Sequence, residues 1–123
     1  VFFKNRDSYA FSAYLAGWSV TSGEMSNALT SLLVTRNPEA GLGTTNRSRY
    51  SNPKMDELVK EASSTMDDAK RADLLAKASN IAMDDYAMLP VHFELSVWAM
   101  KGDIRYQGRP DQVTLAQFAT LKK

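Results

Sequence analysis

Residues 51–85 read SNPKMDELVKEASSTMDDAKRADLLAKASNIAMDD, and they decide the centre of the fold. Ser51 or Asn52 can cap a helix, with Pro53 in its first turn, where a missing N–H costs nothing. Met55, Leu58, Val59 and Ala62 recur at helical spacing and predict one buried stripe. Asp56 and Lys60, four residues apart, are placed to pair on the exposed side, an interaction worth only ~0.2–0.5 kcal/mol. Asp67 or Asp68 opens a second helix running to about Tyr86, with Leu74, Leu75, Ala78, Ile81 and Ala82 as its apolar face. Two helices so close in sequence predict an antiparallel helical hairpin.

Toward the N-terminus, residues 9–19 (YAFSAYLAGWS) predict a strand. Phe11, Ala13, Leu15 and Gly17 form one alternate set, and Ser12, Tyr14, Ala16 and Trp18 the other. Both sets are largely apolar, as in a sheet with helices on its faces. A helix is also compatible, because periodicity alone does not separate the two in short apolar runs. Residues 21–34 predict a helix. Thr21-Ser22-Gly23-Glu24 has the capping-box form, and Met25, Ala28, Leu29, Leu32 and Leu33 follow as a stripe. Asn37-Pro38 and the glycines at 41 and 43 end it. Residues 36–52 show no hydrophobic period and read as a long loop, of the kind that is often functional or mobile.

Toward the C-terminus, Pro90 marks the start of a second strand. Val91, Phe93, Leu95, Val97 and Ala99 fall on one face, and His92, Glu94, Ser96, Trp98 and Met100 on the other. Residues 102–110 read as a turn region. Residues 112–121 fit either a short helix or a strand.

Composition narrows the function. The 123 residues are 44% hydrophobic and 24% charged, ordinary globular values that argue against disorder. A formal charge of +1 supplies no basic footprint for nucleic acid and no polybasic membrane patch. Without cysteine there is neither a disulfide framework nor a thiolate metal site. The longest uncharged stretch, residues 8–23, is too short and too polar to span a bilayer. Val1-Phe2-Phe3-Lys4 does not open a signal peptide, so an exported protein would already have lost that segment.

Catalytic parts are few. His92 is the single histidine, which removes His-based metal triads, and no serine lies in a nucleophile elbow. A hydrolase built on His92 is the least favoured reading, and a solvated or hydrogen-bonded histidine on a polar strand face the most favoured. Asp84-Asp85 reads as solvated charge, because adjacent helical residues point about 100° apart. Gly41 and Gly43 do not precede a helix in a nucleotide-binding pattern. No enzyme activity, cofactor or metal is expected.

One place has the geometry of a ligand site. A strand ending at Trp18 would run directly into a helix starting near Ser22, and ligands of open α/β sheets bind beyond the carboxyl ends of strands. The helix N-terminus would offer unpaired N–H groups, and Trp18 a flat apolar surface with a donor. Trp18 as core, with Thr21 and Glu24 as a simple cap, is the competing reading.

The order of motifs along the chain is similar to a known family. Gly17-Trp18-Ser19, then a helix, then residues 46–56 (NRSRYSNPKMD), then Asp67, Asp68 and Arg71, then Leu-Pro-Val-His after a helix ending in Ala and Asp, resembles the C-terminal region of dipeptide/oligopeptide-type solute-binding proteins of ABC importers. The likeness runs from about Phe11 to Arg109. It implies an α/β fold, with this chain as a fragment of a two-lobed periplasmic binding protein. Residues 1–101 would belong to the C-terminal lobe, and residues 102–123 would return toward the other. It further implies an extracytoplasmic subunit that closes on a peptide or other small solute and docks to membrane permease subunits. Trp18, Ser19 and Thr21 are then the first candidates for ligand contact, and Asn46, Arg47 and Arg49 the second. Many members carry an aspartate shortly after the Gly-Trp pair, where it receives the ligand's α-amino group; this chain has Thr21 at the corresponding position. A lobe separated from its parent would expose sheet edges and apolar faces, so the chain alone is expected to self-associate. The alternative is a small α/β interaction module that functions at this length, docking through its hairpin or its last strand.

Overall fold

Asn52 sets up the central hairpin from both of its ends. In the computed structural model, which describes residues 1–20 and 22–122, its side-chain oxygen accepts from the N–H groups of Lys54 and Met55 at 3.1 and 3.3 Å. That caps α3 (Pro53–Ser64). Its amide nitrogen donates to Asp85 Oδ2 at 2.7 Å, just past the end of α4 (Asp68–Asp84). The start of α3 therefore lies beside the end of α4, and the two helices are antiparallel. Asp67 caps α4 through the Lys70 N–H at 2.7 Å, and Lys70 pairs with Glu61 across the connection at 2.8 Å. Met55, Val59 and Ala62 of α3 are buried with Leu74, Leu75, Ala78 and Ala82 of α4. Leu58 and Ile81 pack partly against them. Burial of these stripes, about 25 cal/mol per Å² of apolar surface, is what holds two otherwise marginal helices together.

The predicted pair of Asp56 with Lys60 does not form. Asp56 Oδ1 instead accepts from the Thr35 N–H at 3.0 Å, tying α3 to the segment that precedes it. A backbone donor lacking another partner outcompetes a weak surface ion pair.

Three elements complete the first of two compact units, Val1–Pro90. α1 (Phe2–Asp7) opens the chain. α2 (Ser26–Ala28) continues directly into a π-helical turn, Leu29–Leu33, whose Leu29 and Leu33 join the core. The helix starts at Ser26, later than the capping box predicts. Gly23 has φ +70°, left-handed backbone that a right-handed helix cannot include. Glu24 does not reach back to a cap: it accepts from Ser26 Oγ at 2.9 Å and pairs with Arg71 of α4. Thr21, the expected cap, lies outside the described residues.

The expected strands do not pair. Tyr9, at φ +57°, belongs to the close of α1, with its N–H on the Arg6 carbonyl. Beyond it, no ladder forms along residues 11–20 or 91–100 among the described residues. Period-two alternation shows that a segment suits a pleated, half-buried surface, but it supplies no neighbour to complete the hydrogen bonds.

The second compact unit, Val91–Lys123, holds the only sheet among the described residues. β1 (Ile104–Tyr106) and β2 (Ala119–Leu121) pair antiparallel, with Ile104 opposite Leu121 and Tyr106 opposite Ala119. β1 falls within the region expected to be turn. Residues 112–121, fitting helix or strand, contain both: a 3₁₀ turn, Ala116–Phe118, runs into β2. Trp98 anchors this unit. Its indole N–H donates to Thr114 Oγ1 at 3.1 Å, and its ring lies 6.0 Å from that of Tyr106. A Cβ on Gly108 would stand 2.5 Å from the Trp98 ring, so any side chain there would have to displace the ring.

Candidate ligand site

The loop holding Asn46, Arg47 and Arg49 is built by the end of the π-helical turn. That turn bonds the Val34 N–H to Leu29 O, five residues back, at 2.9 Å, and leaves nearby carbonyls without helical partners. The loop satisfies them. Gly43 N–H donates to Thr30 O at 2.9 Å and Thr45 N–H to Ser31 O at 3.0 Å. Asn46, 1% exposed, donates from its amide to Val34 O at 3.0 Å and Tyr50 O at 2.8 Å. Its side-chain oxygen accepts from Ser48 Oγ at 3.1 Å. Asn46 is thus a clamp with its hydrogen-bonding groups turned inward.

The two arginines are also engaged within the chain. Arg47 Nε donates to Asp7 Oδ1 at 2.9 Å, and the same side chain donates to Thr44 O at 2.6 Å. Asp7 is shared with Arg6, and hydrogen bonds from Arg47 and then Arg6 hold its carboxyl below the usual range. The Arg49 guanidinium sits 3.9 Å from the centre of the Tyr9 ring, a cation–π contact. Both arginines therefore fasten the N-terminal segment to the loop.

Trp18 and Ser19 are placed differently. Both are exposed, Trp18 by 44%, and neither side chain makes a hydrogen bond among the described residues. They offer a flat apolar ring, an indole donor and a hydroxyl to a ligand. Thr21 carried the third first-rank expectation and lies outside the described residues.

Two features escaped sequence reasoning. The first is a cavity of about 380 Å³ beside α3, with Val34, Leu42 and Val59 among its walls and Asp56, Lys60 and Ser63 on the side of the helix. It is partly open to solvent, and polar Thr30, Thr35 and Asn37 share its wall with the apolar side chains. The i,i+4 placement of Asp56 and Lys60 was the available signal, but it read as a surface pair. The second is Asp85, expected to be solvated charge. Its Oδ2 accepts from Tyr50 Oη and Asn52 Nδ2, each at 2.7 Å. The Tyr50 hydrogen bond, then that from Asn52, lowers the Asp85 carboxyl pKa. Burial, followed by the Asp85 bond, pushes Tyr50 up to about 12. The partners are 35 and 33 residues away, so no local pattern announces them. His92 is exposed.

With this geometry in place, likeness to known proteins adds one finding. Over 63 residues, 51% of this chain, the sequence is 29% identical to the oligopeptide-binding protein OppA of Bacillus subtilis (strain 168). The aligned part spans 12% of that protein's length. No family model and no solved structure matches the chain. Among the described residues, no helix is long and apolar enough to cross a membrane.

Proposed function

We propose that this chain is part of the extracytoplasmic solute-binding subunit of an ABC importer, and that the whole protein takes a peptide or another small solute. The observation that carries the proposal is the 63-residue similarity to an oligopeptide-binding protein. The exposed Trp18-Ser19 pair supports it, as groups available to a ligand. In this reading the chain contributes an α/β portion of a two-lobed fold, and residues 11–20 and 91–100 pair with strands supplied by the rest of the protein. Ligand acts by stabilising a closed arrangement of the lobes, which the permease subunits then recognise.

The ligand chemistry is narrowed by Thr21. A hydroxyl does not neutralise an ammonium as a carboxylate does, so this protein does not hold a free peptide N-terminus at that position. The test is direct. The full-length receptor is purified, its co-purified solute is identified by native mass spectrometry, and a dipeptide panel with N-acetylated counterparts is titrated by calorimetry. A released small solute, with affinity indifferent to N-acetylation, is the expected result. A receptor that carries and binds no solute overturns the importer reading. Tight peptide binding lost on acetylation overturns only the assignment at Thr21.

A further inference from the structure

Glu24 stands between the candidate solute contacts, Trp18 and Ser19, and the first helical residue of α2, Ser26. The link is folded into a turn: Gly23 has φ +70°, and the Glu24 N–H donates to Ser22 Oγ at 3.3 Å. One oxygen of the Glu24 carboxylate then receives two donors. These are Ser26 Oγ at 2.9 Å and the guanidinium of Arg71 in α4, 47 residues along the chain. Hydrogen bonds from Arg71 and then Ser26 hold the carboxyl below its usual range, so it is ionised at neutral pH. Among the described residues of 11–25, this is the one side-chain hydrogen bond or ion pair that reaches the α3–α4 hairpin.

Local helix chemistry does not account for Arg71. It lies in the first turn of α4, where a cation opposes the helix dipole. Its neighbour Lys70 is balanced inside the hairpin by Glu61, whereas Arg71 is balanced from outside it by Glu24. The hairpin supplies most of the buried core, so a segment fastened to Arg71 is fastened to the best-packed part of the first unit.

We propose that Glu24 and Arg71 are positioning residues for the solute, their pair fixing the C-terminal end of the Trp18–Ser19 stretch on the α3–α4 hairpin. This role rests on the solute-binding reading above, in which residues 11–20 are paired at the other end with strands from the rest of the protein. The candidate contacts then lie between two fixed ends. A segment already held in place loses less conformational freedom when solute binds, so affinity rises without any contact from Glu24 or Arg71 to the solute.

The test uses the full-length receptor and the solute that co-purifies with it, with occupancy read by native mass spectrometry and affinity by calorimetry after removal and re-addition. The paired side chains are 31% and 37% exposed, so the effect is modest. Glu24→Ala and Arg71→Ala are each expected to weaken affinity about two- to fivefold. The double variant is expected to lose no more than either single one, and Arg71→Lys to retain most of the affinity. Hydrogen exchange of the residue 19–25 amides is expected to quicken in both alanine variants, while the unfolding midpoint of the solute-free receptor moves little. Additive losses overturn the pair as a unit. A loss of affinity matched by an equal loss of solute-free stability overturns the positioning role in favour of a folding contact. Intact binding that the variants leave unchanged overturns the positioning role alone, whereas an unsubstituted receptor that carries and binds no solute overturns the importer reading and this role with it.

Discussion

The Asn46 amide donates to two backbone carbonyls while its oxygen accepts from Ser48, all inside the first compact unit. Replacement by alanine leaves buried carbonyls without donors. Asn46→Ala is expected to lower stability by about 1–3 kcal/mol, read as a shifted urea midpoint with an unchanged slope. Gly43 presents a backbone constraint. It has φ +58°, and a Cβ there would stand 2.5 Å from Val34 O and 2.8 Å from Arg36 Cα. Gly43→Ala is expected to cost on the order of 1–3 kcal/mol by thermal unfolding, because backbone borders the site and cannot swing aside as a side chain would. Tyr50 gives a pH signature. Its pKa is raised to about 12 in the folded protein, above an ordinary phenol value of about 10. The unfolded chain therefore loses this proton first. The stabilising contribution is complete below about pH 10 and declines between about 10 and 12. Among five tyrosines, Tyr50 is expected to ionise late in a tyrosinate absorbance titration, and Tyr50→Phe to flatten alkaline unfolding over that window. The Asp85 carboxyl works in the opposite sense. With its folded pKa depressed, its contribution is present above the ordinary carboxylate range and is lost as pH falls through the folded value.

At the scale of elements, α3 and α4 were legible because each carries its own instructions: a cap, a proline or acidic first turn, and a stripe at helical spacing. Their packing is expected to dominate the stability of the first unit. Leu75→Ala, at a buried α4 position, is expected to cost about 2–5 kcal/mol in urea. Asn52→Ala is expected to cost about 1 kcal/mol through the lost cap, with a further loss through the severed bond to Asp85. The helix expected from Thr21 was legible only in its apolar half. Leu29 and Leu33 are buried as their spacing predicts, but Gly23 postpones the start, and the end is a π-helical turn whose free carbonyls of Thr30 and Ser31 accept from the loop. The loop itself, residues 36–52, lacks hydrophobic period because hydrogen bonds rather than a stripe hold it, including the bridge between Asn37 and Leu42.

At the scale of the whole molecule, the candidate site divides along the same line. Among the described residues the Trp18 and Ser19 side chains make no hydrogen bond, whereas Asn46, Arg47 and Arg49 are occupied in holding the chain together. In the proposed full-length receptor, Trp18→Ala is expected to weaken solute binding by calorimetry while leaving the unfolding midpoint nearly unchanged, because the ring is half in solvent. Equal losses in binding and stability would assign Trp18 to the core instead. Arg47→Ala is expected to behave in reverse, loosening the N-terminal segment through the lost Asp7 pair with little direct effect on the solute.

Local chemistry in the sequence by itself determined the two long helices, their antiparallel hairpin and the absence of thiolate chemistry, since caps, stripes and composition act over a few residues. Only the tertiary structure decided that Asn46 is buried, that Asp85 fastens Tyr50 and Asn52, and that residues 11–20 and 91–100 have no strand beside them among the described residues. Those outcomes depend on which groups meet across tens of residues. A hydrogen bond or a ladder needs its second partner in place, and periodicity records only the first.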